Sequence, residues 1–547
     1  MKTLLLAGAA LVASPLAARA QDAPSQPTLA PSEMGPPAPA PESALRYSPD
    51  LPGGTPADIA EASRAGTPVD ALPQALRLAY WTSPTVLAQR AALRGIDYRV
   101  PQARAAFGPR LDYQVGYDIT RSGLRTPGNG WSDNTTRSLT TTAVLTQPIF
   151  TFGRNAASER YALAQLGYQR QVMRSAEQQA LLDAIGAYVG LLRDRAAVAI
   201  ARDNLATLEQ ELSDNRARLK RREVTSTDVE QVETRVELGR AQVFTAQRDA
   251  AAGEATFLRM IGAPAGALAA PNPLRLPADS LEAAYAYAEG HNPVLIAAQE
   301  REKISRASLE STKADLMPRV DLKGQADYVN GWNVQGLLTT LPRRDQRDFS
   351  GQVVLSGPIY ESGLRQARVG EAIAANDSDW RLIDAALREN RATLAAAWDD
   401  WKALGAAVDR YASAVESARR AYDGALLQEK AGLRTTLDVL DLARELLLAR
   451  GNYNSAMASA YIAQARVLAA MGALEQTWLL PGEPRYDPDD HFDKVKHRGD
   501  VPLLTPLLRG IDGLPLGSAS ARALRDPAAP RTAAPVELDA VKELPVP

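Results

Sequence analysis

Two aspartates three positions apart have the spacing in this chain that best suits a specific chemistry. Asp438 and Asp441 lie in the segment Gly432–Asp441, within a long run of helix-forming residues. Residues three apart share one face of a helix, so these carboxylates would point the same way. Carboxylates gathered around a pore select cations. A solvated acidic helix face is the more common meaning of such a pair, and both interpretations stay open at this point.

Other residue types give little indication of catalysis. The three histidines are His291, beside a predicted turn, and His491 and His497 near the C-terminus, and none of them has the spacing of a metal-ligand pair. The chain has no cysteine, which excludes disulfides, thiol chemistry and an acylated N-terminal cysteine. We find no phosphate-binding loop and no nucleophile motif. We therefore expect no enzyme activity, no cofactor and no metal site.

The N-terminus predicts export from the cytoplasm. Lys2 precedes an apolar stretch, and Ala18-Arg19-Ala20 has the form of a cleavage site, so residues 1–20 are interpreted as a signal peptide. No later run of about 18 apolar residues indicates a transmembrane helix. The formal net charge of −2 gives no reason to expect a nucleic-acid partner.

The central part of the chain is duplicated. Short motifs recur at an offset of 209 or 210 residues: Ser83-Pro84 as Asn292-Pro293, Gly108–Asp112 as Met317–Asp321, Gln147–Phe150 as Gly357–Tyr360, and Phe257–Ala263 as Val467–Ala473. A constant offset means that one structural unit is used twice. We assign repeat 1 to residues 67–275 and repeat 2 to residues 276–480. A Pro- and Ala-rich arm (21–66) precedes them, and a Pro-rich tail (481–547) that we expect to be disordered follows.

Each repeat is predicted to contain an opening helical segment, two strands and a very long helical run. Proline is absent from Ile149–Ala263 and from Ile359–Leu480. A single helix over Arg154–Arg222 would be roughly 100 Å long, which favours coiled-coil packing. Leucines at positions 433, 440, 447 and 468, separated by multiples of seven, indicate the same packing.

The predicted strands cover residues 110–121, 137–148, 319–329 and 347–358. Apolar and polar residues alternate in them, and each has the length of a tilted strand that crosses an outer membrane. Trp131 and Trp332 occupy corresponding loops, and tryptophan favours the membrane interface. Each segment alone would also suit a soluble sheet with one wet face. Four strands cannot close a barrel in lipid, so the membrane interpretation requires several chains to share one barrel.

In this order, the motifs resemble the TolC family of outer-membrane efflux and type I secretion channels. The resemblance covers about residues 67–475 and rests on the repeated Ser/Asn-Pro, the Pro-Arg-x-Asp entry to the strands, the Pro-Ile-Phe/Tyr-x-x-Gly exit, and Gly432–Asp441. It implies a mainly α fold with a small β part. Two tandem repeats of long coiled-coil helices, with two membrane strands each, would form a TolC-like trimeric α-barrel and a shared twelve-stranded β-barrel.

The resemblance also implies a function and partners. Such a protein is a passive exit duct that lies in outer-membrane lipid, with a large periplasmic part. It acts as a homotrimer together with a periplasmic adaptor (membrane fusion protein) and an inner-membrane RND or ABC transporter. No nucleic acid is involved.

Residue by residue, the resemblance places a gate at the periplasmic helix tips. It implies that Asp438 and Asp441 form stacked carboxylate rings at the constriction. It implies that Arg434 holds the channel closed through Thr227 and Asp228 of the neighbouring helix pair. Glu429 occupies a position where the family sometimes has a tyrosine of this closing network, so we expect a different arrangement of the contacts there.

The family's adaptor contacts fall on the two hairpin tips, Arg221-Arg222-Glu223 and Ala431-Gly432-Leu433. The second tip is close to the Val-Gly-Leu-like turn of the family. The first has no glycine, and because glycine allows backbone conformations that arginine resists, we expect a different turn or a different adaptor partner there.

Two alternatives remain at this stage. A periplasmic coiled-coil adaptor or scaffold would need no membrane strands, but it leaves the duplicated alternating segments unexplained. Among channels, drug, solvent or metal efflux competes with type I protein secretion. The Gly-x-Arg-Thr-x-x-Asp-Val-Leu-Asp form and the lack of a lipidated cysteine resemble the secretion and general-purpose branch more closely.

Overall fold

The computed structural model describes residues 55–513, apart from 60, 62–65, 127–129, 336–338 and 341–343. The predicted signal peptide and nearly all of the N-terminal arm lie outside the described residues, as do residues 514–547 of the predicted tail. The described chain is mainly helical and contains one sheet.

The two repeats contain equivalent elements in the same order. Repeat 1 consists of α1 (Leu72–Thr82), α2 (Pro84–Asp97), α3 (Arg99–Ala105), β1 (Arg110–Thr126), β2 (Gly130–Phe150), α4 (Arg154–Lys220) and α5 (Ser226–Ile261). Repeat 2 consists of α6 (Leu281–His291), α7 (Pro293–Ala314), β3 (Arg319–Gln335), β4 (Thr339–Thr340), β5 (Arg344–Ser356), α8 (Leu364–Lys430) and α9 (Thr436–Met471). The short helices α10 (Gln476–Leu479), α11 (Asp489–Val495) and α12 (Leu504–Asp512) follow.

The four long strands form one antiparallel sheet in the order β1-β2-β3-β5, with β4 paired to the end of β3. β1 and β3 are 17 residues long and β2 is 21, so all three extend beyond the predicted strands. The backbone pairing of β1 with β2 continues past the last apolar residues of the alternation as far as Thr126 and Gly130. Alternation therefore located the strands but underestimated their length, because ladder hydrogen bonds do not depend on apolar side chains.

One face of the sheet is apolar and exposed. On β1, Leu111 (72% exposed), Tyr113 (83%) and Ile119 (60%) lie on this face, and on β5 Phe349 (84%) and Val353 (72%) do so. Alternate residues of a strand point to opposite faces, so the intervening polar residues lie on the other side. Large apolar side chains facing outward on every strand are typical of a sheet that faces lipid.

The long helices begin in the same way in both repeats. Gly153 and Gly363 precede α4 and α8 with φ of 86° and 81°, a left-handed conformation that glycine adopts without steric cost. Both helices are 67 residues long, roughly 100 Å at the usual rise. Among the described residues, we find no helix that is both long and apolar enough to cross a membrane.

The main hydrophobic core lies where the opening helices pack against the long ones. Trp81 of α1, Tyr188 of α4, Phe257 of α5 and Leu468 of α9 are all fully buried in it. A second, smaller core lies near the far ends of the long helices and includes Val232 of α5. The first core fixes the middle of the molecule, and the second holds the ends of the hairpins together.

The described part of the C-terminal segment corrects the prediction of disorder for residues 481–513. Residues 481–513, which we call the C-terminal strap, contain α11 and α12 and pack against repeat 1. The ring of Tyr486 lies 4.7 Å from the guanidinium carbon of Arg90, and the Tyr486 amide donates to the Tyr80 hydroxyl at 3.2 Å. The Pro-rich composition hid these contacts because single anchor residues hold the strap, and they leave no periodic pattern.

The strap ends at the start of α4. The buried carboxylate of Asp512 accepts hydrogen bonds from the Thr151 amide at 2.6 Å and the Thr151 hydroxyl at 2.9 Å. It also accepts from the amides of Gly153 and Ala156, both at 3.3 Å. Amides in the first turn of a helix have no partner within the helix, so Asp512 caps α4 from a distant part of the chain.

Candidate functional site

The hairpin between α4 and α5 and the hairpin between α8 and α9 end in the same turn. Arg222 and Gly432 occupy equivalent positions and both have positive φ, 61° and 73°. In each turn the next amide reaches back five residues: Glu223 donates to the Arg218 carbonyl at 3.0 Å, and Leu433 donates to that of Gln428 at 2.9 Å. Of the two alternatives expected for the first tip, a different turn is therefore wrong, and a different adaptor partner stays a prediction. Arg222 adopts the left-handed conformation despite its side chain.

All six predicted tip residues are exposed: Arg221, Arg222, Glu223, Ala431, Gly432 and Leu433. Leu433 is the large apolar side chain among them and is 78% exposed. The two tips therefore present equivalent backbones with different side chains, one charged and one apolar.

Asp438 and Asp228 each begin a helix as part of a capping box. The Asp438 carboxylate accepts from the Thr435 amide at 3.2 Å and the Thr435 hydroxyl at 2.8 Å, while the Asp438 amide donates to that hydroxyl at 3.2 Å. Asp228 makes the same contacts with Thr225. The hydrogen bonds from Thr435 hold the pKa of Asp438 below its ordinary value, with a smaller contribution from Arg434. Asp438 is thus a charged, exposed residue with a structural role that the Thr-x-x-Asp spacing could have revealed.

Asp441 connects the two hairpins of one chain. Its carboxylate lies 3.3 Å from Nη2 of Arg235 on α5. Both Asp438 and Asp441 are exposed, so the structure places the predicted carboxylate pair on an accessible surface of α9. An exposed ion pair of this kind contributes little stability.

Arg434, Thr227 and Asp228 are not brought together within one chain. Arg434 and Thr227 are exposed, and among the described residues no hydrogen bond or ion pair joins Arg434 to either partner. A contact among these three residues would have to form between chains.

A buried polar cluster, which the sequence did not predict, joins the hairpins near their tips. The carboxylate of Glu429, only 4% exposed, forms an ion pair with Arg218 of α4. The Thr436 hydroxyl lies 3.3 Å from Glu429 Oε1 and 3.4 Å from Oδ1 of Asn215. Glu429 therefore binds residues of its own chain, and the expected rearrangement of the closing network stays a prediction. Arg218 and Glu429 are 211 residues apart, so no local pattern indicates the pair.

The comparisons with known proteins agree with this geometry. A family model described as outer membrane efflux protein matches residues 75–263 and 284–473, once in each repeat. The outer membrane efflux protein BepC of Brucella suis is 26% identical over 432 residues, which cover 78% of this chain and 91% of BepC. The alkaline protease secretion protein AprF of Pseudomonas aeruginosa is 26% identical over 395 residues, covering 70% of this chain and 80% of AprF.

Solved structures show the same fold. The outer membrane protein VceC of Vibrio cholerae superposes with a TM-score of 0.61 at 19% identity, covering 73% of this chain and 96% of VceC. A membrane protein from Pseudomonas aeruginosa gives a TM-score of 0.64 at 18% identity, and the match covers 73% of this chain and 90% of that protein.

These matches confirm the predicted fold class and decide between the two functional interpretations. The matching family and BepC are both described as outer membrane efflux proteins, so the periplasmic adaptor or scaffold alternative is not supported. The family consists of channel proteins. This chain belongs to the outer membrane efflux protein family, and it is an outer-membrane exit duct with a large periplasmic helical part.

Proposed function

We propose that three copies of this chain form one duct with a shared twelve-stranded barrel. Within the described strands, β1 pairs only with β2, and β5 pairs only with β3. Each sheet therefore has two open edges, whose backbone groups need partners in lipid. Pairing β1 of one copy with β5 of the next satisfies both edges. A further support is the exposed apolar surface of α8, which includes Ile373 (47%) and Trp380 (49%).

The periplasmic end of the duct is gated at the hairpin tips. The observation that carries this proposal is the division of polar contacts there. Glu429 and Asp441 bind Arg218 and Arg235 of the same chain, whereas Arg434 remains exposed and has no such partner among the described residues. We propose that Arg434 contacts Thr227 and Asp228 of the next copy. A contact between arginine and a carboxylate is directional and strong enough to hold two helix pairs together.

Asp438 and Asp441 form the constriction in this proposal. Both are exposed on one face of α9, and the lowered pKa of Asp438 keeps its carboxylate charged. Three copies around an axis would produce two stacked acidic rings, an arrangement that attracts cations. The ion pair with Arg235 reduces the charge of Asp441, so Asp438 contributes the larger part of the field.

The exposed tips are the proposed binding surface for a periplasmic adaptor, which connects the duct to an inner-membrane RND or ABC transporter. The charged tip Arg221-Arg222-Glu223 and the apolar tip Ala431-Gly432-Leu433 would contact different surfaces of that adaptor. BepC is an outer membrane efflux protein, and AprF is an alkaline protease secretion protein. The proposal therefore includes both a tripartite efflux pump and a type I secretion system.

The trimer is tested first. Electron microscopy of the detergent-solubilised protein should show a threefold particle with a detergent belt and a hollow stalk of roughly 100 Å. A monomeric particle without a belt would contradict the shared barrel.

Conductance in planar bilayers tests the gate. Arg434→Ala should raise single-channel conductance, because it removes the contact between copies. Arg444→Ala, which changes another exposed arginine of α9, is the control and should leave conductance unchanged. Equal conductance in both variants would show that Arg434 does not hold the gate closed.

Block by multivalent cations tests the constriction. Asp438→Asn with Asp441→Asn should weaken block, and asparagine is preferred to alanine because its side-chain oxygen still accepts hydrogen bonds in the capping box. Asp249→Asn, which changes an exposed aspartate farther along α5 that has no part in the proposed gate, serves as the control. Unchanged block in the double variant would show that neither aspartate lines the constriction.

A further inference from the structure

Three arginines line one cavity where the long helices begin. Arg154 of α4 and Arg365 and Arg368 of α8 surround it together with Thr312 and Asp315 at the end of α7, and its volume is about 150 Å³. We propose that this arginine cluster is an oxyanion-binding subsite in the wall of the duct, for phosphate or carboxylate groups of exported molecules. The inference rests on the proposed duct and adds a chemical preference to its interior.

Positive charge exceeds negative charge at the cluster. Arg154 lies 2.5 Å from the Asp315 carboxylate, and Arg365 lies 2.5 Å from that of Glu361. The pKa of Glu361 is lowered, chiefly by its hydrogen bond from Arg365, so Glu361 is charged. Arg368 has no hydrogen bond or ion pair among the described residues and is exposed. Three guanidinium groups therefore face two carboxylates, and Arg368, which acts on Glu361 only by a weaker Coulombic attraction, is the group without an ion pair.

The apolar face of the sheet shows which side of the molecule is outside. Leu145 and Gln147 lie two apart on β2 and share that face. The Gln147 amide donates to the Phe107 carbonyl at 2.8 Å, so Phe107 lies on the apolar side. Phe107 and Pro506 of α12 line one groove with Glu159 of α4. The C-terminal strap therefore covers α4 from the apolar side of the sheet.

Arg154 lies on the opposite side of α4. Ala156 and Glu159 face the groove beside the strap. At 3.6 residues per turn, Arg154 is about 160° around the helix from Ala156 and about 140° from Glu159. The arginine cluster therefore lies on the side of the polar sheet face, which is the interior of the proposed duct.

The duplicated fold does not require these arginines. The positions in the other repeat that correspond to Arg154 and Arg368 are Leu364 and Ser158. Arg365 corresponds to Asn155, and both donate to a carbonyl of the preceding helix end, that of Asp315 and that of Ala106. Arg365 thus has a structural counterpart, whereas Arg154 and Arg368 add charge that the packing of the repeat does not need.

The chemistry of the cluster favours oxyanions over other solutes. Guanidinium groups present several planar N–H donors that match the oxygens of phosphate and carboxylate. A cavity of about 150 Å³ has room for one such group with some water. Arg368 is free to bind it without breaking an existing ion pair.

Inorganic tripolyphosphate is the probe in two measurements. Isothermal titration of the purified full-length protein in detergent gives the affinity without requiring conductance. Arg368→Ala should weaken binding by at least about fivefold, because one unit charge close to a multivalent anion is lost. Arg381→Ala is the matched control, since Arg381 is about 220° around α8 from Arg368 and pairs with Asp377. Equal affinity in wild type and Arg368→Ala would overturn the subsite.

Block of single channels tests the location. Tripolyphosphate added to the side of the bilayer opposite the hairpin tips should block wild-type channels, and Arg368→Ala should raise the half-blocking concentration by at least about fivefold. Binding without block would overturn the placement of the subsite in the duct wall. If no channels are observed, the proposed duct fails, while the titration still decides whether the arginine cluster binds oxyanions.

Discussion

Repeat 1 and repeat 2 have the same backbone plan, but different parts of the chain stabilise them. α4 and α8 have equal length and begin after equivalent glycines. The start of α4 is capped by Asp512 of the strap, which accepts a hydrogen bond from the Thr151 amide. The equivalent of Thr151 in repeat 2 is Glu361, which is exposed and pairs with Arg365 of its own helix. The same turn is thus supported from far away in one repeat and locally in the other.

The two long helices also differ in how much surface they bury. α4 packs against α1, α2, α3, α5, α7, α9 and the strap, and much of its length is buried. α8 packs mainly against α7 and α9, and its buried residues are Val369, Leu394, Trp398, Ala425 and Glu429. The two repeats therefore share the turns and the helix length, while the long helix of repeat 2 leaves more of its surface exposed, which supports the proposed contact between copies.

The largest expected effect comes from removing the distant cap of repeat 1. Asp512→Ala leaves the amides of Thr151, Gly153 and Ala156 without their acceptor in a buried site, so we expect the free energy of opening at the start of α4 to fall by about 3 kcal/mol. Glu361→Ala, the matched change in repeat 2, should cost no more than about 0.5 kcal/mol because its ion pair is exposed. Hydrogen exchange of the first turns of α4 and α8 measures both. Equal losses would show that the two caps do not differ.

The second prediction exchanges residues between the tips. Arg218 corresponds to Gln428 in repeat 2. Arg218→Gln leaves the buried carboxylate of Glu429 without its ion pair, and we expect the opening free energy of the second tip to fall by about 2 kcal/mol. Gln428 is exposed, so Gln428→Arg should change the opening free energy of the second tip by less than about 0.5 kcal/mol. Hydrogen exchange of residues 428–438 measures both changes. An unchanged opening free energy in Arg218→Gln would show that the Glu429 cluster does not stabilise the contact between the hairpins.

These two sites show what the sequence could and could not predict. The repeats, the long helices and the strand faces leave periodic patterns, so they were predicted correctly. The Asp512 cap joins residues 361 apart and the Arg218–Glu429 pair joins residues 211 apart. Ion pairs and caps over such distances depend on tertiary packing and leave no local pattern. The capping box of Asp438 is different, since its Thr-x-x-Asp spacing was visible but was interpreted only as part of a gate.

The third prediction concerns the turns themselves. Gly432→Ala should destabilise the second tip by about 1 kcal/mol, because a side chain resists positive φ. A Cβ atom at Gly432 would have no neighbour within 4 Å, so the loss would come from the backbone alone. Arg222→Gly should stabilise the first tip, because glycine adopts positive φ without steric cost. The gain should be less than about 1 kcal/mol, since glycine loses more entropy on folding. Thermal unfolding of the two variants should shift the midpoint in opposite directions, and shifts of the same sign would contradict equivalent turns.

The smallest expected effect is a pH dependence confined to repeat 1. Burial raises the pKa of Glu211 above its ordinary value of 4.5, and the nearby charges of Glu429 and Asp214 raise it further, while Lys430 and Arg218 lower it. The equivalent position in repeat 2 is Ala421, which does not titrate.

The sign follows from proton binding. Between pH 4.5 and the raised pKa, the folded first hairpin binds the Glu211 proton more tightly than the opened one. Its opening free energy should therefore fall as pH rises through that interval. Glu211→Gln should remove this dependence and raise the opening free energy at neutral pH, because the cost of burying a charged carboxylate and the repulsion with Glu429 both disappear. Hydrogen exchange of residues 208–218 over a series of pH values measures it. An unchanged slope in Glu211→Gln would show that Glu211 is not the group that titrates in the first hairpin.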